Sequence, residues 1–207
     1  DINLVDRVPN TIIKPHDILR PVYAESSVEI KQYIRDMSEL DFGISVVDMR
    51  HLTRETQAKT LESKAEADVV HLFDLSQDLM IRVSYLRTSD AAGVLLFNMH
   101  HIAADGWSLQ ILKNEFFTLY DAFIKGTVSP IPPLEIQYSD YAYWQHTYLV
   151  GEVLDEQLDY WVAQLDEVPA VHSLPLSYPR PETKQYEGAI VNGRLSAEVS
   201  KKLQVLA

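Results

Sequence analysis

Gly93 to Ser108 reads GVLLFNMHHIAADGWS, and its hydropathy pattern decides the fold around it. Gly93–Met99 is a short apolar run bounded by turn-forming residues, which reads as a buried strand. Beyond the motif, Leu109, Leu112, Phe116, Leu119, Tyr120 and Phe123 recur at helical spacing up to Gly126, which predicts an amphipathic helix ending there. The nine residues His100-His101-Ile102-Ala103-Ala104-Asp105-Gly106-Trp107-Ser108 therefore form a strand-to-helix turn.

Such a turn suits a reaction. An imidazole at a strand end is held rigidly, and its unperturbed pKa fits proton transfer near neutral pH. Free backbone N–H groups at the helix start, beside a glycine that admits a substrate, are placed to meet a developing oxyanion. Side chains alternate along a strand, so His100 and His101 point to opposite faces. If His101 faces a cavity, His100 is a structural residue. Asp105 is read as structural too, capping the helix that begins at Gly106 or pairing with a cation.

These residues carry a family resemblance. HHIAADGWS resembles the HHxxxDG signature of nonribosomal peptide synthetase condensation domains. Tyr138–Gln145 (YSDYAYWQ) is similar to the family's YxDYAxWQ segment, and Leu174–Pro181 (LPLSYPRP) with Tyr186-Glu187-Gly188 resembles the loop that follows. Lys14–Tyr23 (KPHDILRPVY) resembles the upstream RHExLRTxF segment, matching at His16, Leu19 and Arg20 but with Pro15, Asp17 and Pro21 in place of Arg, Glu and Thr. Four segments in the family's order span nearly the whole chain.

The resemblance implies an α/β fold, a chloramphenicol acetyltransferase-like lobe with a mixed sheet flanked by helices. Residues 1–195 would form most of the amino-terminal lobe of a condensation domain, and 196–207 the opening helix of a second lobe, with Ser196 as its N-cap. It implies amide bond formation between a donor acyl or peptidyl thioester and an aminoacyl acceptor. Both arrive on phosphopantetheine arms of partners, the upstream and downstream peptidyl carrier domains, with an adenylation domain adjacent and no cofactor held by the domain itself. His101 would position the amine or take its proton, and the Gly106 N–H would stabilise the oxyanion. His100, Asp105, Trp107 and Arg20 would shape the site, Asp105 through an ion pair to an arginine of the second lobe. Trp107-Ser108 favours condensation over epimerisation or heterocyclisation. Two other readings stand beside this one: an acyltransferase drawing on coenzyme A thioesters, and a noncatalytic module that docks carriers. A 207-residue chain lacking the second lobe is expected to turn over little by itself.

Composition narrows the classes. A net charge of −12 argues against a nucleic-acid surface, which needs clustered Lys and Arg. Without cysteine there is no disulfide framework, thiolate metal site or thiol nucleophile. The histidines outside the motif are scattered without metal-ligand spacing, so no metal is expected. No apolar run approaches a membrane span and no signal peptide opens the chain, so no membrane partner and a cytoplasmic location are the expectation.

Elsewhere the chain predicts strands over 18–24 and 28–35 in a hairpin, 44–47, 80–86 and 189–195. It predicts helices over 53–72, 138–149 and 152–166, the first with a solvated charged face. Proline clusters at 130–133, and 170–185 reads as an irregular loop. Pro9 and Pro15 are expected to interrupt any helix near the start. The aromatic residues between Tyr138 and Tyr148, at helical spacing, read as core packing, and the resemblance implies that the segment supports the wall of the site.

Overall fold

A computed structural model of the chain describes residues 2–25, 27, 29–40, 42–171, 173–183 and 188–206. The chain divides into two units, Asp1–Gln157 and Leu158–Ala207. The motif and everything found to support it lie in the first. No helix among the described residues is long and apolar enough to cross a membrane.

The strand before the motif is β5, Gly93–Met99, and it closes a three-stranded mixed sheet with β3 (Ser45–Asp48) and β4 (Ile81–Arg87). β3 runs parallel to β4, with Ser45 opposite Ser84. β5 returns antiparallel, with Arg87 opposite Gly93 and Ile81 opposite Met99. At Gly93 a Cβ would sit 2.4 Å from the Tyr85 ring, so a larger residue there would have to displace that ring. A separate two-stranded ladder joins β1 (Pro21–Glu25) to β2 (Ile30–Ile34), with Pro21 opposite Ile34. Ser26 and Val28, expected in that hairpin, lie outside the described residues.

The helix after the motif is α3, Gly106–Ile124, stopped at Lys125 and followed by Gly126 in the left-handed region at φ 71°. Its buried side chains are Leu112, Phe116, Leu119, Ala122 and Phe123; of the predicted stripe, Leu109 is instead exposed and Tyr120 only partly buried. They form one core with Val8, Ile12 and Ile13 of α1 (Ile2–Ile13), Leu19, and Ile81 and Val83 of β4. Phe97 of β5 meets Phe116 edge to face at 5.7 Å, and the Arg7 guanidinium lies 3.9 Å over the Phe123 ring. α2 (Arg54–Val69) buries no residue, as its charge pattern indicates, and is capped by Thr53. Gln57 holds it to the sheet by donating to the Met49 and Thr88 carbonyls at 2.9 and 3.0 Å.

Four expectations are corrected. α1 runs through Pro9 rather than stopping at it. An interior proline costs about 3 kcal/mol, but Val5, Val8, Pro9, Ile12 and Ile13 are all buried, and each buried aliphatic side chain stabilises by about 1.5–3 kcal/mol. Pro15 falls after the helix end and breaks nothing. Residues 18–20 belong to a 3₁₀ turn, Asp17–Leu19, and its cap instead of the first strand. Residues 189–195 form no strand. Asn192-Gly193 interrupts their alternation, Ile190 and Val191 are exposed, and no strand among the described residues pairs with them.

The fourth correction concerns α4, Tyr138–Tyr148, which buries no residue. Tyr138, Tyr141, Trp144 and Tyr148 are each about half exposed and touch one another in sequence, with ring centroids 5.0–5.9 Å apart. Helical spacing put the rings on one face, but core burial needs an opposing element, and here the rings cover each other instead. α5 (Gly151–Leu165) and α6 (Ala197–Leu206) match their predicted spans within a residue or two, and the Ser196 hydroxyl accepts from Val199 N–H at the start of α6.

Leu119→Ala is expected to lower unfolding free energy by about 2–5 kcal/mol, while Lys64→Ala on exposed α2 changes it by no more than about 0.5 kcal/mol. Urea titration of both variants checks this, and equal effects would contradict the core described above.

Candidate functional site

The site begins where β5 ends. Odd-numbered β5 residues Leu95, Phe97 and Met99 pack toward the α1–α3 core. Even-numbered ones face the other way: the Asn98 amide donates to the Asp68 carbonyl at the end of α2. His100 continues the even series. Its ring meets Phe73 edge to face at 5.7 Å, Phe73 in turn meets His71 at 5.1 Å, and its Nδ1 accepts from Ile102 N–H at 3.0 Å. A neutral His100 so engaged carries its proton on Nε2.

His101 sits on the opposite side, at the first position of the turn 101–103. Its imidazole is exposed and makes no hydrogen bond among the described residues. It lines a cavity of about 260 Å³ together with Met99, Ala104, Asp105, Gly106 and Leu109. Gly106 opens α3, so its N–H has no helical acceptor, and none is found among the described residues. A Cβ at Gly106 would meet nothing within 4 Å. His101 and Gly106, whose N–H is unpaired among the described residues, thus line one open cavity.

Asp105 fixes this arrangement as the N-cap of α3. Its Oδ1 accepts from Ser108 N–H at 2.8 Å and from Ser108 Oγ–H at 2.7 Å, while Asp105 N–H donates back to Ser108 Oγ at 3.3 Å. This is a capping box with serine in the reciprocal position. The hydrogen bonds from Ser108, backbone first, hold the Asp105 carboxyl below the usual carboxylate range; the Trp107 N–H and nearby His101 add to the effect. No arginine pairs with Asp105 among the described residues. Trp107 is 80% exposed.

Arg20 lies among other partners. Its guanidinium donates to the Arg35 carbonyl, to the Lys14 carbonyl at 3.3 Å and to the Asp17 carboxylate. It joins the end of α1, the 3₁₀ turn and the end of β2, and contributes nothing to the His101 cavity. Two neighbouring residues escaped sequence reasoning. Glu115 of α3 pairs with His16 Nε2 through its Oε2 at 2.8 Å, fixing the 3₁₀ turn to the motif helix. Gln137, before α4, donates to the Pro15 carbonyl at 2.8 Å and accepts from Asp17 N–H at 3.2 Å. The three family-like segments around His16, His101 and Tyr138 are therefore wired together through His16–Glu115 and Gln137. Tyr186 and Glu187 lie outside the described residues. No group of three or more His, Cys, Asp or Glu converges as a metal site among the described residues.

The profile of the family described as Condensation domain matches residues 1–207. The chain belongs to the condensation-domain family. It is 35% identical over 207 residues to one of the proteins that make up the linear gramicidin synthase of Brevibacillus parabrevis, covering all of this chain and 3% of that protein. It is 34% identical to phosphinothricin tripeptide synthetase PhsC of Streptomyces viridochromogenes, over 95% of this chain and 18% of that protein. The condensation-domain chain thus spans a small fraction of these relatives. Among solved structures, the X-domain from teicoplanin biosynthesis in complex with OxyB superposes with a TM-score of 0.74 at 25% identity, over 87% of this chain and 39% of that one. The epimerization domain from the third module of tyrocidine synthetase B gives 0.71 at 24%, over 87% and 40%. The fold of this condensation domain is the chloramphenicol acetyltransferase-like α/β fold.

Because Asp105 is held ionised by its cap, its stabilising effect on α3 is fully present above the ordinary aspartate range and is lost as pH falls through its lowered folded-state value. Asp105→Ala should lower the melting temperature at pH 7, and Asp105→Asn, which can still accept from Ser108, should retain most of it. Thermal melts at pH 7 and pH 3 test this: the deficit of the alanine variant shrinks in acid. An undiminished deficit would contradict the ionised cap.

Proposed function

We propose that the site forms an amide bond between two carrier-borne substrates, and the observation that supports this most is the placing of His101 and the unpaired Gly106 N–H on one open cavity. The donor is an acyl or peptidyl thioester, and the acceptor is the amine of an aminoacyl thioester. The amine nitrogen attacks the thioester carbonyl carbon and forms the C–N bond. Negative charge collects on the carbonyl oxygen, where the Gly106 N–H at the positive end of α3 stabilises it. Collapse breaks the C–S bond and releases the pantetheine thiolate, which takes up the proton that the amine gives up.

His101 acts on the amine. An amine is already a good nucleophile toward a thioester, so holding it in line with the carbonyl supplies much of the gain, with proton uptake by the imidazole in the same contact. Asp105 and His100 act through the backbone: one caps α3, and the other braces the turn against Phe73. Trp107, exposed at the first turn of α3, is free to line the entrance. Upstream and downstream carrier domains are the partners this chemistry requires, next to an adenylation domain that loads them, in a cytoplasmic setting. Membership of the family and likeness to peptide synthetases favour this reading over acyl transfer from free coenzyme A.

The test is intact-protein mass spectrometry of a donor-loaded and an acceptor-loaded carrier domain. They are mixed with this chain joined to the remaining residues of a condensation domain. Transfer to the acceptor carrier is expected with His101 and should fall at least about a hundredfold with His101→Ala, at unchanged melting temperature. Gly106→Ala should also fold normally, since its methyl enters open space, yet slow transfer by crowding the carbonyl. No transfer at all, or transfer only from free acyl coenzyme A, would overturn the proposal in favour of carrier docking or a coenzyme A acyltransferase.

A further inference from the structure

A second cavity, of about 140 Å³, lies behind the turn between α1 and α3. Its walls include Ile12 of α1, Leu19, Ile111 and Leu112 of α3, and Ala103 of the turn. Two polar residues reach it, and both are engaged elsewhere: His16 with Glu115 at 2.8 Å and the Ser108 hydroxyl with Asp105 at 2.7 Å. The cavity therefore offers contact area without a free polar side-chain partner. Ile12, Leu19 and Leu112 are buried at 1%, 4% and 8% exposure, so these walls are set by the core.

Met99 lines this cavity and the His101 cavity alike. Among the described residues, Met99 is the one lining residue the two cavities have in common, and its unbranched side chain is adaptable. For scale, an apolar cavity of about 150 Å³ accommodates a benzene-sized group. A leucyl or phenyl side chain is of that size.

We propose that the cavity behind Met99 is a side-chain subsite. It takes the apolar side chain of an aminoacyl group whose backbone lies at His101, with Met99 moving aside as the wall. This rests on the reading of His101 as the reacting centre for aminoacyl groups and adds what that centre selects: leucine-sized apolar residues over glycine. The side chain enters from the His101 side, past Met99, and ends against Ile12, Leu19 and Leu112. Ile111, 45% exposed at the rim, can be changed without disturbing the core.

The experiment is methyl NMR on the 207-residue chain with labelled methionines, Met37, Met49, Met80 and Met99. Met49 and Met80 are fully buried and report that the fold is intact. The ligands are leucinamide, glycinamide and N-acetyl-leucinamide. Leucinamide is expected to shift the Met99 methyl at a concentration about tenfold below that needed for glycinamide. Ile111→Trp, which fills the cavity, should abolish the preference, and Ile111→Ala should keep it. N-acetyl-leucinamide tells which substrate the subsite serves: binding with the amine blocked assigns it to the donor, and loss of binding assigns it to the acceptor. Equal response to leucinamide and glycinamide, or no response of Met99 to any of them while Met49 and Met80 stay in place, overturns the subsite. The carrier-transfer assay reads the chemistry at His101 separately, so failure of one is distinguishable from failure of the other.

Discussion

The apolar face of α3, with Leu112, Phe116, Leu119 and Phe123, is seated on α1 and on the odd-numbered side chains of β5. That seating sets where the N-terminus of α3 lies relative to the end of β5, and the turn between them inherits its geometry. Each of those side chains stabilises by about 1.5–3 kcal/mol on burial, more than the single hydrogen bonds of the turn itself. The capping box of Asp105 and Ser108 then fixes the first turn of the helix locally. Position comes from packing and orientation from the cap.

The same arrangement explains why two adjacent histidines have different environments. Strand alternation sends His100 to Phe73 and the side of α2, where its Nδ1 is occupied by Ile102 N–H. His101 is left on the α3 side with an unengaged ring beside the free N–H of Gly106. His16–Glu115 and the Gln137 bridge tie neighbouring segments to α3 and α4.

The parts of this that depend on local period were legible in the sequence: β5 to the residue, Leu112, Phe116, Leu119 and Phe123 of the buried α3 stripe, the Asp105 cap and the divergence of the two histidines. The resemblance carried the chloramphenicol acetyltransferase-like fold. The parts that depend on distant partners were not legible. Nothing local pairs His16 with Glu115, 99 residues on, or Gln137 with Pro15, 122 residues back. Pro9 was read by its intrinsic cost, whereas burial of the whole α1 face outweighs it. The α4 aromatics and residues 189–195 show the converse: an apolar face or an alternating run becomes core or strand only when another element lies against it.

The claim on which the account rests is that one substrate carbonyl and one amine meet between Gly106 and His101. The most direct measurement is a crystal structure of the chain, joined to the remainder of a condensation domain, with a stable amide-linked analogue of a donor pantetheine thioester. The account predicts the analogue's carbonyl oxygen about 2.7–3.2 Å from Gly106 N, with the His101 ring facing the path of the incoming amine. An analogue bound with its carbonyl away from the α3 N-terminus, or with His101 turned out of the cavity, would contradict it.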